Sequence, residues 1–255
     1  MYPDFPEGAP CWADARLPRV EAAKRFYGDL FGWTFDEGAG AERGYYTGAY
    51  SDDRAVAALA PAPAGAVPAW TVHFAVGDAY AAADRVVAAG GRIAAGPVSE
   101  GALATVALAA GPDRAAFGLW QPGSHQGFER TGVPGAFCRA ELRTPDPALS
   151  DSFYESVFGY AAQDPAPGLR TWHLAAPARR APGGPTAPRT ARRRTTGAPA
   201  RFLAHFGAAD PEATCAAAVR LGGRVVAAAR ATREGAVAVL ADDQGAVFAV
   251  REPDG

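Results

Sequence analysis

The chain has 255 residues, 25 basic and 27 acidic side chains and a formal net charge of −2, so no global field calls for nucleic acid or an anionic membrane. Its 49% hydrophobic and 20% charged composition excludes a disordered chain, and 30 glycines with 22 prolines but no three-residue period exclude a collagen-like one. The length suits two domains of roughly 125 residues each. Sixty-two alanines make up about half of the hydrophobic total, and alanine fills little volume, so core and site material must come from the 13 Phe, 8 Tyr and 5 Trp with Val and Leu. Arginine supplies all but one of the basic residues, the exception being Lys24. With the Ala, Gly and Pro excess, this bias fits a GC-rich coding sequence. The opening MYPDFPEGAP has no apolar signal region, and no window reaches the ~18 apolar residues of a membrane span, so a cytoplasmic location is expected. Cys11, Cys138 and Cys215 have neither disulfide-framework nor CxxC zinc spacing.

Taken in chain order, an alternating strand precedes a helix over Arg19 to Phe31, where Val20, Ala23, Tyr27, Leu30 and Phe31 share one stripe. Trp33 follows it as a core residue. A second strand at Trp70 leads to a helix ended by Gly90-Gly91. Asp146-Pro147 and Asp210-Pro211 mark the starts of the third and fourth helices, each an N-cap acid followed by proline at the first helical position. Gly222-Gly223 closes the fourth.

These elements repeat. FYGDLFGW (Phe26 to Trp33) returns as FYESVFGY (Phe153 to Tyr160), and the same offset of 127 superposes Cys11 on Cys138, Asp14 on Glu141 and Arg16 on Arg143. The stretch from Trp70 to Arg92 matches Phe202 to Arg224, so that His73 falls on His205 and Asp78 on Asp210. Gly111 to Pro122 matches Asp242 to Pro253. The chain is a tandem duplication, and each half is itself double, giving a βαβββ unit four times over. The expected domains are 1–123 and 135–255, joined by a linker over 124–134.

With PCWAD at Pro10 to Asp14, PAW at Pro68 to Trp70, FGLWQ at Phe117 to Gln121 and a second start at Glu141-Leu142, the sequence resembles the vicinal oxygen chelate superfamily of glyoxalase I, extradiol dioxygenases and bleomycin-resistance proteins. Its two-domain glyoxalase-like "hydroxylase" subgroup, similar to anthracycline-pathway accessory proteins, matches best. The resemblance implies an α+β fold in which four βαβββ modules form two half-open mixed-sheet cups. It also implies where metal-using relatives carry His, His and Glu. Those positions fall here on Trp12, Thr71 and Gly118 in the first half and on Arg139, Leu203 and Ala249 in the second. None suits a divalent cation, which needs three or more converging donors. No metal cofactor is therefore expected, a divalent metal being the alternative.

Strand alternation places Asp14 beside Trp12, His73 beside Thr71, Glu141 beside Arg139 and His205 beside Leu203 on the same faces. Each acid and histidine could be a hydrogen-bonded pocket or core residue, hold a ligand, or transfer a proton. Trp12, Trp70 and Trp120 offer aromatic surface in the first half, where the second half has Arg139, Phe202 and Arg251, and Trp172 stands without an earlier counterpart. Aromatic walls with few polar groups suit flat apolar ligands; the plainer alternative is that these rings supply the volume alanine lacks. Pro177 to Pro199 carries six arginines. By position it should contain the last strand of the third module, but its composition suits a solvated loop, with an arginine clamp for an anionic ligand or partner as the functional alternative.

The function expected is metal-free binding of an aromatic or apolar small molecule: sequestration of a natural product, as in drug resistance and antibiotic biosynthesis, or assistance to a pathway oxygenase. The ligand-binding candidates are Trp12, Asp14, Trp70, His73, Trp120, Arg139, Glu141, Trp172 and His205. The alternative is a lyase, isomerase or oxygenase acting through Asp14/His73 or Glu141/His205, with or without a divalent metal. Neither nucleic acid nor membrane is an expected partner, and pairing within one chain makes a monomer self-sufficient.

Overall fold

A computed structural model of the chain describes residues 5–36, 46–167, 169–174, 190–195, 197–232 and 234–253. Four βαβββ modules follow one another. The first comprises β1 (Pro10–Leu17), α1 (Val20–Phe31), β2 (Thr34–Phe35), β3 (Thr47–Ser51) and β4 (Arg54–Pro61). The second comprises β5 (Ala69–Ala75), α2 (Ala79–Ala88), β6 (Arg92–Ser99), β7 (Ala104–Ala110) and β8 (Ala116–Pro122). In the third, β9 (Phe137–Thr144) leads to α3 (Pro147–Phe158), β10 (Tyr160–Ala166), β11 (Leu169–Leu174) and β12 (Thr190–Thr195). The last runs β13 (Arg201–Gly207), α4 (Pro211–Arg220), β14 (Arg224–Thr232), β15 (Gly235–Ala241) and β16 (Val247–Arg251).

Two mixed eight-stranded sheets result, ordered β2-β3-β4-β1-β5-β8-β7-β6 and β10-β11-β12-β9-β13-β16-β15-β14. In each module the first and last strands pair in parallel, while the strands between them are antiparallel neighbours. This is the α+β arrangement of four modules in two open sheets that the repeat implies.

The helix boundaries follow from local chemistry. The carboxylates of Asp78 and Asp210 each accept from two N–H groups of the following turn, and Asp146 accepts from Leu149 N at 3.0 Å, so each satisfies donors that a helix start leaves unpaired. Both α1 and α3 stop at a glycine in the left-handed region, Gly32 and Gly159, whose N–H groups close the last turn.

By compactness the chain divides into two units, Met1–Trp12 with Val72–Gly127 and Arg139–Leu203, and Ala13–Thr71 with Phe128–Cys138 and Ala204–Gly255. In the first, α2 packs on α3, and Phe74, Phe117, Phe153, Tyr154, Phe158 and Phe202 form a core of tilted and edge-on rings. In the second, α1 packs on α4, and Tyr27, Phe31, Trp33, Trp70, Phe206 and Phe248 do the same. Truncating a buried ring of this kind to alanine typically costs ~3–5 kcal/mol, which is how a chain so rich in alanine holds its sheets. Trp33 is a core residue, its indole N–H donating to Gly135 O at 2.6 Å.

One segment differs from its composition. Within the Arg/Pro-rich run, residues 190–195 form β12, antiparallel to β11 and parallel to β9. Proline is absent between Pro188 and Pro199, so this short stretch can hydrogen-bond along both edges whatever its side chains prefer. The loop expectation is corrected there; residues 175–189 and 196 lie outside the described residues. Between the halves, Phe128 is fully buried and stacks on Phe137 at 4.6 Å, and Glu129 exchanges main-chain and carboxylate hydrogen bonds with Ala55.

Candidate ligand-binding site

The aromatic cluster of the first unit is built by the start of β1, by β5 and β8, and by the segment that follows β8. Trp12 is 1% exposed, with its ring edge-on to His125 at 4.4 Å and tilted against Trp120 at 6.2 Å. Trp120 in turn meets His125 at 5.3 Å and His73 at 5.6 Å, both edge-on, and its indole N–H donates to His125 O at 3.2 Å. The His125 Nδ1 accepts from Gly127 N at 3.2 Å, which places the proton of the neutral ring on Nε2. Two indoles and two imidazoles thus form one packed aromatic cluster with a small number of ring nitrogens, in which Trp12, His73 and Trp120 are buried. Sequence reasoning brought Trp12, His73 and Trp120 to this site. It missed His125, which lies in the stretch between repeats and has no counterpart to draw attention to it.

His73 explains the residue at the position of the family's carboxylate. It pairs in parallel register with Gly118, and a Cβ built at Gly118 would sit 1.9 Å from His73 Nδ1. The imidazole occupies the space that any side chain at 118 would enter. Together with Trp12 and Thr71 at the other two positions, the residues of this half do not fit a divalent cation. Among the described residues no group of three or more His, Cys, Asp or Glu is arranged to hold one.

The other candidates have different surroundings. Asp14, 3% exposed, accepts from the Tyr46 hydroxyl at 3.3 Å. Trp70 belongs to the helix-side core of the second unit, where its indole N–H donates to the Tyr27 hydroxyl at 2.9 Å and its ring lies 4.9 Å from Phe206. Trp172 is fully buried against Tyr154 at 5.3 Å and stacked on Tyr160 at 5.6 Å. His205 is buried opposite Ala249 in the β13–β16 register. Arg139 is buried, and the carboxylate of Glu141 is engaged by Arg143 Nε at 2.8 Å and approached by Arg194 Nε at 3.5 Å. Burial pushes the Cys11 thiol well above its usual range, which suits a packing residue and not a nucleophile.

With this geometry in view, comparison with known proteins is direct. Residues 12–119 match the Glyoxalase/Bleomycin resistance protein/Dioxygenase superfamily, and residues 139–251 match the family described as Glyoxalase-like domain. The anthracycline biosynthesis protein DauV of Streptomyces sp. (strain C5) is 37% identical over 97% of this chain and 94% of its own length. CFP32 of Mycobacterium tuberculosis is 34% identical over 98% of this chain and 97% of its own. Among solved structures, the Mn(II)-bound glyoxalase of Novosphingobium aromaticivorans superposes with a TM-score of 0.64 at 14% identity, covering 98% of this chain and 84% of that one. No helix is long and apolar enough to cross a membrane among the described residues. Two matched segments in tandem, relatives aligned over nearly their whole length and a shared four-module fold establish that this chain belongs to the glyoxalase/bleomycin resistance protein/dioxygenase superfamily.

Proposed function

We propose that the protein is a metal-free binder of an aromatic natural product, acting in the cytoplasm as a monomer of two tandem glyoxalase-like domains, either sequestering its ligand or assisting a pathway oxygenase. The observation that carries this reading is the packing of His73 onto Gly118, which fills the carboxylate position of metal-using relatives with an imidazole. The same imidazole joins Trp12, Trp120 and His125 in one aromatic cluster. An aromatic cluster of this kind suits a planar ring system, and its few ring nitrogens suit polar substituents. Kinship with DauV, a protein named for anthracycline biosynthesis, supports a polycyclic aromatic ligand.

The test is titration of the purified protein with a planar polyketide while tryptophan fluorescence is followed. Saturable quenching that is unaffected by chelator and is weakened in Trp12→Phe and Trp120→Phe is expected. A stoichiometric transition metal that survives exhaustive dialysis, or chemical conversion of the polyketide that Asp14→Asn or His73→Ala abolishes, would overturn the binding-only reading in favour of catalysis.

A further inference from the structure

The third module carries a second cluster of a different chemistry. Within β9, alternation places Arg139, Glu141 and Arg143 on one face. In β12, parallel to it, Arg194 stands in register with Arg143. The buried Glu141 carboxylate receives Arg143 Nε at 2.8 Å on one oxygen and has Arg194 Nε 3.5 Å from the other. Each arginine turns its Nε edge to the same carboxylate. Arg201, at the start of β13, brings a third guanidinium close enough to Arg143 for the two charges to repel, and it has no acidic partner among the described residues. Burial, with that repulsion added, pulls Arg201 below the usual arginine range. Arg143 and Arg194 therefore share one carboxylate, and Arg201 adds a third positive charge near Arg143. The side chains of Arg143 and Arg194 are 19% and 34% exposed, sheltered from bulk water yet reachable from it.

A guanidinium fork matches an oxyanion in shape and charge. An uncompensated group of them, partly screened from solvent, is unfavourable until an anion joins it. We propose that Arg143, Arg194 and Arg201 form an oxyanion-binding site, taking a carboxylate or phosphate group of a small molecule, with Glu141 as the built-in counter-ion that spaces the first two arginines. The site is independent of the aromatic face around Trp12, so either can fail without the other.

Isothermal titration at low ionic strength with benzoate and, separately, with inorganic phosphate tests this. Saturable binding is expected for at least one of the two, and the tighter one identifies the carboxylate or the phosphate arm. Arg194→Gln and Arg201→Gln should each weaken it about tenfold, the scale of one charge-assisted contact. Glu141→Gln should tighten it, because removing the internal anion leaves more positive charge for the ligand, whereas a purely structural ion pair predicts no gain. Should Glu141→Gln fail to fold, Arg201→Gln decides, since Arg201, at the start of β13, is only partly buried. Absence of saturable binding, or binding of equal strength in the wild type and in Arg201→Gln and Arg194→Gln, would overturn the proposal.

Discussion

The Tyr27 hydroxyl donates to Asp242 Oδ2 at 2.8 Å, joining residues 215 positions apart, and accepts from Trp70 Nε1 at 2.9 Å. Its repeat counterpart, Tyr154, is equally buried, but the positions equivalent to Asp242 and Trp70 hold Gly111 and Phe202, and its hydroxyl has no hydrogen-bond partner among the described residues. One repeat carries this polar pair in its core, and the other leaves the equivalent hydroxyl unmatched among the described residues.

Tyr27→Phe should therefore destabilise the protein by ~1–3 kcal/mol, because Asp242 and Trp70 are left with unmet polar groups. Tyr154→Phe should be neutral or slightly stabilising, since it removes a buried hydroxyl that already lacks a partner. Chemical denaturation of the two variants side by side checks the contrast, and equal costs would contradict it.

Asp242 adds a pH dependence. Burial holds its carboxyl above the usual value of 3.8, against the lowering effect of the Tyr27 hydroxyl and the N–H groups of Ala246 and Gln244. The folded state then takes up this proton more readily than the unfolded chain. The stability it contributes is full below the ordinary carboxylate value and is lost as pH rises through the raised folded value. Asp242→Asn lacks that titration. The stability of wild type relative to the variant should fall as pH rises from about 4 and level off once Asp242 is ionised; a relative stability that climbs with pH contradicts the assignment.

Gly118→Ala should be strongly destabilising, by more than ~2 kcal/mol, since its Cβ can be admitted only if the His73 ring moves. In the His73→Ala background the same substitution should cost much less. A double-mutant cycle by thermal unfolding measures the coupling, and additive effects would show that the two positions do not compete for space.

Ala191→Pro should break the third module, because β12 hydrogen-bonds to β9 and β11 and the substitution both deletes a main-chain donor and fixes φ. Circular dichroism and thermal melting should register a loss of ~3 kcal/mol or more. If the variant melts like the wild type, the segment is not held as a strand.

The fold was legible because its signals are local and repeated. Asp146-Pro147, Asp210-Pro211 and the glycine pairs at 90–91 and 222–223 announce helix ends within a few residues, and the FYGDLFGW and FYESVFGY copies set the modules in order. Much less of the site could be read. Alternation along β1 and β5 brought attention to Trp12 and His73, but His125 lies outside the repeat, and no local pattern shows an imidazole seated on Gly118. Trp70 and Trp172 had the same aromatic signal as Trp12, and only packing distinguishes a ring held by Tyr27 from one facing His125. The partnership of Glu141 with Arg194 joins two strands across an Arg-rich run whose composition pointed to a loop. Long-range pairing of this kind is set by sheet register, which sequence periodicity does not encode.

The division into units has a consequence for biogenesis. The unit that begins with Met1–Trp12 also needs Val72–Gly127 and Arg139–Leu203, and the other needs segments from both ends of the sequence. During synthesis the first two modules emerge while α2 still lacks α3 and α1 still lacks α4, so the apolar helix faces wait for partners that lie in the second half of the chain. Such non-local closure slows folding and leaves the nascent first half a natural client for chaperones.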